Sequence, residues 1–434
     1  MTEPDDHDST LNVDLFPGER IAASEPETLE QSSDAELSAR YLSNGVRIVT
    51  EQARYPLNQI HSMLTRKTES ESGEFEFTYN RDPEYQRRHR WDATRKSRLI
   101  ESFLMNVPVP PIFLYENELA RYEVMDGRQR LSALMDFYSD SLVLEGLQHW
   151  PELNGRTYKS LPTAIRNGID RRYLSSIILL NETAAAGEQA ALLKKLVFER
   201  LNSGGVELSG QETRNAIFDG PVNSLCIELS ELPEFKEMVG VPFDVPESSG
   251  TTQDGGDVDD ENESPDLRKG TPIGRKWYES MDDVELVLRF FAYRHLRNFS
   301  QGLNRIREFL DQFLLKANTF DNATIEAYRS LFTENIKFWY AVGGPNAFQP
   351  RGISRSRHFS KIAYDALMYS SSALTPEQRE ILMKHPDVLN RSINEMYEKN
   401  SDAFGGRKTN ASDAHRRNLY AFEALQSALT QIQA

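Results

Sequence analysis

The chain has 434 residues, enough for two or three domains, and at 39% hydrophobic and 27% charged residues it can bury a sizeable core. A net charge of −16 argues against non-specific coating of nucleic acid, and a single cysteine excludes an intrachain disulfide and a cysteine-rich zinc site. No apolar run reaches membrane-span length, and the start Met1-Thr-Glu-Pro-Asp-Asp has neither the basic nor the apolar region of a secretory signal, so a cytoplasmic protein without a membrane partner is expected.

Residues 1–45 are read as an acidic disordered arm, with a short helix near Asp34 to Tyr41. The acid is unevenly placed, because residues 241–267 hold no Lys or Arg. Order is expected from about Tyr55, followed by a helix over Asn58 to Thr65. Phe75 to Tyr79 alternates apolar and polar residues as a half-buried strand does. Arg81 to Trp91 is basic and extended. Asp92 caps a helix running to about Asn106, with Leu99, Ile100, Phe103, Leu104 and Val107 at helical spacing, and Val107-Pro-Val-Pro-Pro111 ends it. Ile112 to Tyr115 and Tyr122 to Met125 form a hairpin, and a helix with Leu131, Leu134, Met135 and Tyr138 on one face follows Gly127. A strand over Arg172 to Leu180, a helix over Glu188 to Leu201 and a capping box at Ser209-Gly-Gln-Glu212 complete a mixed domain over residues 46–235. The leucine and isoleucine beside Cys226 point to a buried thiol. Residues 244–272 are Gly-, Ser- and acid-rich and read as a disordered loop. Residues 278–434 read as all-helical, with helices over Val284 to Leu296, Leu303 to Leu315, Ile325 to Tyr340, Phe359 to Tyr369 and Leu419 to Leu429, and helix starts at Asp282 and Thr375-Pro376.

Three segments carry chemistry. In the first, Tyr122-Glu-Val-Met-Asp126-Gly127-Arg128-Gln129-Arg130, a strand gives way to a helix through a glycine turn. The glycine permits close backbone approach, the helix start offers free N–H groups, and Arg128 and Arg130 add guanidinium forks suited to phosphate oxygens. Asp126 then suits a hydrated metal ion, a water or a ribose. Spacing alone favours a surface helix start with Asp126 as its cap and solvated arginines. In the second segment, Arg81 to Trp91, the basic residues are interleaved with aromatics and Gln86, a pattern that pairs with phosphates and stacks on a base, or that forms an exposed loop anchored by Tyr85 and Trp91. Lys96 lies near the inward stripe of the following helix, where a lysine either reaches an anion or extends its ammonium to water. In the third, Phe198-Glu-Arg-Leu-Asn202-Ser-Gly204-Gly205, a helix runs into a glycine stop; Asn202 and the glycine backbone are either ligand contacts or only that stop.

"PEYQRRHRW", "LIESFLMNVPVPPIFLYE", "YEVMDGRQRLSAL" and "FERLNSGGVELSGQE", in this order, resemble the N-terminal domain of GmrSD-type, modification-dependent restriction enzymes, over roughly residues 55–220. The resemblance implies an α+β chain, with a ParB/sulfiredoxin-like mixed domain followed by an all-α domain. The family's Asp-Gly-Gln-Gln-Arg signature is linked to nucleotide binding and hydrolysis coupled to phage-DNA restriction, and Arg128 stands here at its third position. For this chain the resemblance implies a nucleotide-phosphate site from Gln86, Arg87, Lys96, Gly127, Arg128, Gln129, Asn202, Gly204 and Gly205, with Asp126 and Arg130 as catalytic residues. The implied ligands are a nucleoside triphosphate, as substrate or effector, and Mg²⁺; the implied partners are DNA and a nuclease subunit or a second copy. A non-catalytic nucleotide- or DNA-binding module that recruits a nuclease fits the same residues.

Larger relatives of this type carry an HNH-like nuclease. His295, His358, His385 and His415 do not make that pattern and read as surface or helix-packing residues, and there is no Gly-x-x-x-x-Gly-Lys-Ser/Thr loop. Two basic clusters beside glycine turns, Arg351, Arg355, Arg357 and Lys361, and Arg407, Lys408, Arg416 and Arg417, suit a nucleic-acid backbone or are solvated faces.

Overall fold

The computed structural model describes residues 13–19, 21, 49–69, 75–80, 91–180, 194–198, 200, 209–218, 220–243, 269–296, 306–350, 358–404 and 411–434. The architecture is mixed α+β with a helix-rich C-terminal part. The strands are β1 (Thr50–Pro56), β2 (Lys67–Glu69), β3 (Phe75–Phe77), β4 (Tyr79–Asn80), β5 (Ile112–Glu118), β6 (Arg121–Asp126) and β7 (Tyr173–Leu179). Five of them make one sheet in the order β1-β7-β5-β6-β4, and β2 and β3 make a separate two-stranded ribbon. In the sheet, β1–β7 and β5–β6 are antiparallel, whereas β5–β7 and β4–β6 are parallel.

Side chains alternate across the strands, and this divides the core in two. Ile112, Leu114, Val124, Leu174 and Ile178 face one layer of helices: α1 (Ile60–Thr65), α2 (Ala93–Leu104), α3 (Arg128–Tyr138) and α4 (Thr163–Asp170). Phe113, Tyr115, Met125 and Leu179 face the other way, into the core of the helical part. The sheet is therefore covered on both faces. The expected caps hold: Asp92 Oδ1 accepts the Arg95 N–H at 2.6 Å, and Ser209 and Glu212 exchange both bonds of a capping box. Val107, by contrast, lies beyond the end of α2 and is exposed.

The helical part holds α5 (Gly210–Ile217), α6 (Pro221–Ser230), α7 (Pro233–Val239), α8 (Pro272–Glu279), α9 (Asp282–Tyr293), α10 (Ile306–Ala317), α11 (Asn322–Gly343), α12 (Lys361–Ser371), α13 (Pro376–Lys384), α14 (Pro386–Lys399), α15 (Ser401–Phe404) and α16 (Ala411–Gln433). Cys226 is buried within it.

Three expected boundaries move. The mixed domain does not run to residue 235, because Ile217, Val222, Leu225 and Phe235 pack in the helical core. On its N-terminal side β1 starts at Thr50, ahead of Tyr55: it is a polar edge strand, fixed by its ladder to β7 rather than by its own hydrophobicity. The acidic arm is docked at residues 13–21, where Val13 and Ile21 enter the helical core. The short helix expected near Asp34 to Tyr41 and most of the acidic loop, residues 244–268, lie outside the described residues. The loop's ends meet, since the Thr271 N–H donates to Gly240 O at 2.8 Å, so residues 269–272 belong to the folded body.

Candidate functional site

β6 ends at Asp126, beside Phe113 at the start of β5, and α3 begins two residues later. Gly127 turns the chain at φ +99°, a left-handed conformation that L side chains avoid. A Cβ there would lie 2.3 Å from Ile112 Cγ2, so the turn also sits directly on β5. The glycine is required by backbone and packing together. Gly127 is the N-cap of α3 and has no side chain to cap it. The positive end of the α3 dipole lies toward the turn.

Asp126 pairs instead with Arg130, Oδ2 to Nη2 at 2.7 Å. The same Nη2 lies 3.4 Å from Pro111 O. The Arg130 Nε is buried and has no hydrogen-bond partner among the described residues. A guanidinium oriented by a carboxylate, with a donor to spare beside a helix start, is chemically an anion-binding arrangement. Arg128 bends back, its Nε donating to Val124 O at 3.2 Å.

Gln129 has a positioning contact. Its Oε1 accepts the Trp91 N–H at 3.1 Å. This pins the end of the basic segment next to the turn. The segment's other end is fixed too, because β4 runs parallel to β6 with Asn80 opposite Glu123. Gln86 and Arg87 lie between these anchors but outside the described residues, as do Asn202, Gly204 and Gly205.

Lys96 is not held ready for an anion. It is paired with Asp136 of α3, Nζ to Oδ2 at 2.7 Å, which ties α2 to α3. Glu101 of α2 is a buried carboxylate to which the sequence assigns no role. It accepts the N–H groups of Gln148, His149 and Trp150 at 3.3, 2.7 and 3.0 Å. Burial pushes its pKa up, but the three amides outweigh that and hold the carboxyl below its ordinary range.

Two adjacent lysines join the strand that ends at Asp126 to the helical core. Lys194 pairs with Glu123 of β6 at 2.6 Å, and Lys195 pairs with Asp311 of α10 at 2.7 Å. Asp311 also receives Arg214 Nε at 2.7 Å, and Arg214 reaches Glu285 at 2.9 Å. Arg214 is almost wholly buried, and its signal in the sequence is slight: one arginine in an otherwise polar helix start.

Arg351, Arg355, Arg357, Arg407 and Lys408 lie outside the described residues. Lys361 is held by Asp282 at 3.2 Å over the Trp277 ring. Arg416 is half-exposed and paired with Asp413. Arg417 is corrected to a core residue: it is buried, with Nη1 3.5 Å from Ala403 O, and burial lowers its pKa. His295 is buried in the helical core, and His385 joins α13 to α14, but His358 precedes α12 rather than lying on a helix. Among the described residues no helix is long and apolar enough to cross a membrane.

Residues 61–218 match the family described as GmrSD restriction endonuclease, N-terminal domain. That span starts in α1 and ends just after α5, and so contains the sheet from β2 onward and the Asp126–Arg130 turn. No curated protein and no solved structure matches the chain.

Proposed function

We propose, taking the GmrSD-type domain over residues 61–218 as the premise, that this chain is a restriction or defence protein that binds a nucleoside triphosphate at the Asp126–Arg130 turn. The observation that carries the reading is an arginine with an unsatisfied buried donor, held by Asp126 beside the glycine turn that opens α3. The α3 amides and Arg130 take the terminal phosphate, and Arg128 supports it. Arg87 is at most four residues from Trp91, so the chain holds it within about 15 Å of that anchor, close enough to share the ligand. Asp126 orients Arg130 and presents its carboxylate to water at the phosphate. Mg²⁺ suits a site of this kind as an ion carried by the nucleotide. Among the described residues no three His, Cys, Asp or Glu gather, so Asp126 would contact such an ion singly, with phosphates and water as its other ligands. A kinship of the sheet domain to the ParB/sulfiredoxin type is supported by its mixed sheet and strand–glycine–helix turn.

The Asp126–Arg130 pair also favours a second reading. A carboxylate occupied in orienting Arg130 is not turned to a water, which suits a non-catalytic module that binds nucleotide and recruits a separate nuclease to DNA. A hydrolysis panel of nucleoside triphosphates, with and without DNA, on the wild type and Asp126→Ala separates the two. Turnover lost in the variant supports catalysis; binding without turnover supports the module. Calorimetry on Arg130→Lys, Arg87→Ala and the double variant tests the site itself, since lysine replaces a fork by a point charge. Non-additive losses are expected from one shared phosphate. No nucleotide binding by the wild type would end both readings.

A further inference from the structure

We propose that the C-terminal end of α9 is a carboxylate-recognition pocket for an extended peptide, and that the chain's own residues 13–21 are its resident ligand. Glu19 has no exposed surface. Its carboxylate receives Arg294 through both oxygens, at 2.6 and 2.9 Å, and the Tyr328 hydroxyl at 2.8 Å. His295 Nε2 lies 3.2 Å away, and the Phe16 N–H closes the turn onto Oε2 at 2.9 Å. Arg294 also donates to Asp14 O at 2.8 Å, so one guanidinium reads both the carboxylate and the peptide backbone.

The other contacts are equally selective. The Phe16 ring lies under the Arg294 guanidinium at 5.1 Å and against Tyr328 at 6.3 Å. Gly18 passes so close to α11 that a Cβ would lie 2.1 Å from Thr324 Oγ1. Val13 and Ile21 seat an apolar side chain at each end. Its described residues, 13–19 and 21, form no helix or strand, and they meet residues some 275 to 309 positions distant in the chain. It is bound as a peptide ligand is bound: a bidentate charge pair, an aromatic anchor, a backbone contact and a glycine where the groove is narrow.

The pocket defines what it takes. Arg294 and His295 are buried, and among the described residues Glu19 is the carboxylate paired with Arg294. With the segment withdrawn, a desolvated guanidinium would lack a counter-charge, so the vacant pocket favours an acidic peptide over a neutral one. The pattern it reads is Phe-x-x-Glu, with glycine before the glutamate.

The test keeps the chain whole until the measurement. A protease site is placed between residues 30 and 31 of the full-length protein, and the purified chain is cut. The N-terminal fragment should co-elute with the remainder on gel filtration. A fluorescent peptide of residues 10–24 should exchange into the cut protein saturably, and the same peptide with Glu19→Gln should compete at least about tenfold more weakly. Release of the fragment, with no peptide binding by a remainder that still unfolds cooperatively, overturns the proposal. Collapse of the fold on cutting overturns it in another way, by making the segment a structural part rather than a ligand. Elution of the uncut chain as a dimer whose subunits exchange the segment would assign it to a second copy and not to its own chain.

Discussion

Gly127→Ala tests whether the turn at the site is held by backbone conformation, by packing, or by neither. At φ +99° an alanine pays a left-handed penalty of about 1–2 kcal/mol. Its Cβ also meets Ile112 Cγ2 at 2.3 Å, and Ile112 is wholly buried at the start of β5, so relief requires β5 or α3 to shift, at roughly 1–3 kcal/mol. The unfolded chain becomes less flexible, which returns about 0.4–1 kcal/mol. The net loss is therefore about 1–5 kcal/mol, read as a lower urea midpoint at unchanged slope. Ile112→Ala removes the clashing methyl but leaves the residue 112 Cβ at 2.9 Å, so in the double variant the packing part should shrink while the left-handed part stays, giving a coupling of about 1 kcal/mol or more. A single-variant loss under about 0.5 kcal/mol, or strict additivity, would refute the account of why glycine stands there.

Asp311→Ala should cost about 3–5 kcal/mol in urea unfolding, because it strands the buried Arg214 and frees Lys195; a loss below about 1 kcal/mol would show that Glu285 alone suffices for Arg214. Burial pushes the Glu19 carboxyl up, but Arg294, His295 and the Phe16 amide together hold it at about 2, against an ordinary 4.5. Its folded pKa is depressed, so its contribution is full above about pH 5 and is lost as pH falls towards 2; that loss is roughly 3 kcal/mol, and Glu19→Gln should flatten this part of the acid-unfolding curve. If the C-terminal cluster meets DNA, Arg416→Ala should reduce the salt dependence of binding by about one counterion in gel-shift titrations. Arg417→Ala should instead lower the melting temperature and leave that slope unchanged; the reverse pattern would place Arg417 at the interface.

Much of the site was legible from local chemistry. A strand, a glycine and a helix at Met125 to Leu131 specify their own turn, because residue alternation, φ freedom and helical spacing all act within a few residues. The same is true of the Asp92 cap and the Ser209 capping box. Short or polar elements were not legible: β1 takes its form from β7, and α4 from the core under it. The family match likewise comes from sequence, since motifs and their order are a property of the chain.

Partners far apart in sequence were decided only by the tertiary structure. Lys96 and Arg417 read as solvent-facing or anion-seeking cations, and nothing near them in the chain announces Asp136 or the Ala403 carbonyl. Glu19 sits in a stretch whose acidity signals disorder, yet its carboxylate is among the most deeply buried in the molecule. Composition averages over a segment, whereas burial depends on the shape and charge of the surface the segment meets. For Glu19 that surface is made by Arg294, His295 and Tyr328, brought together only when α9 packs against α11.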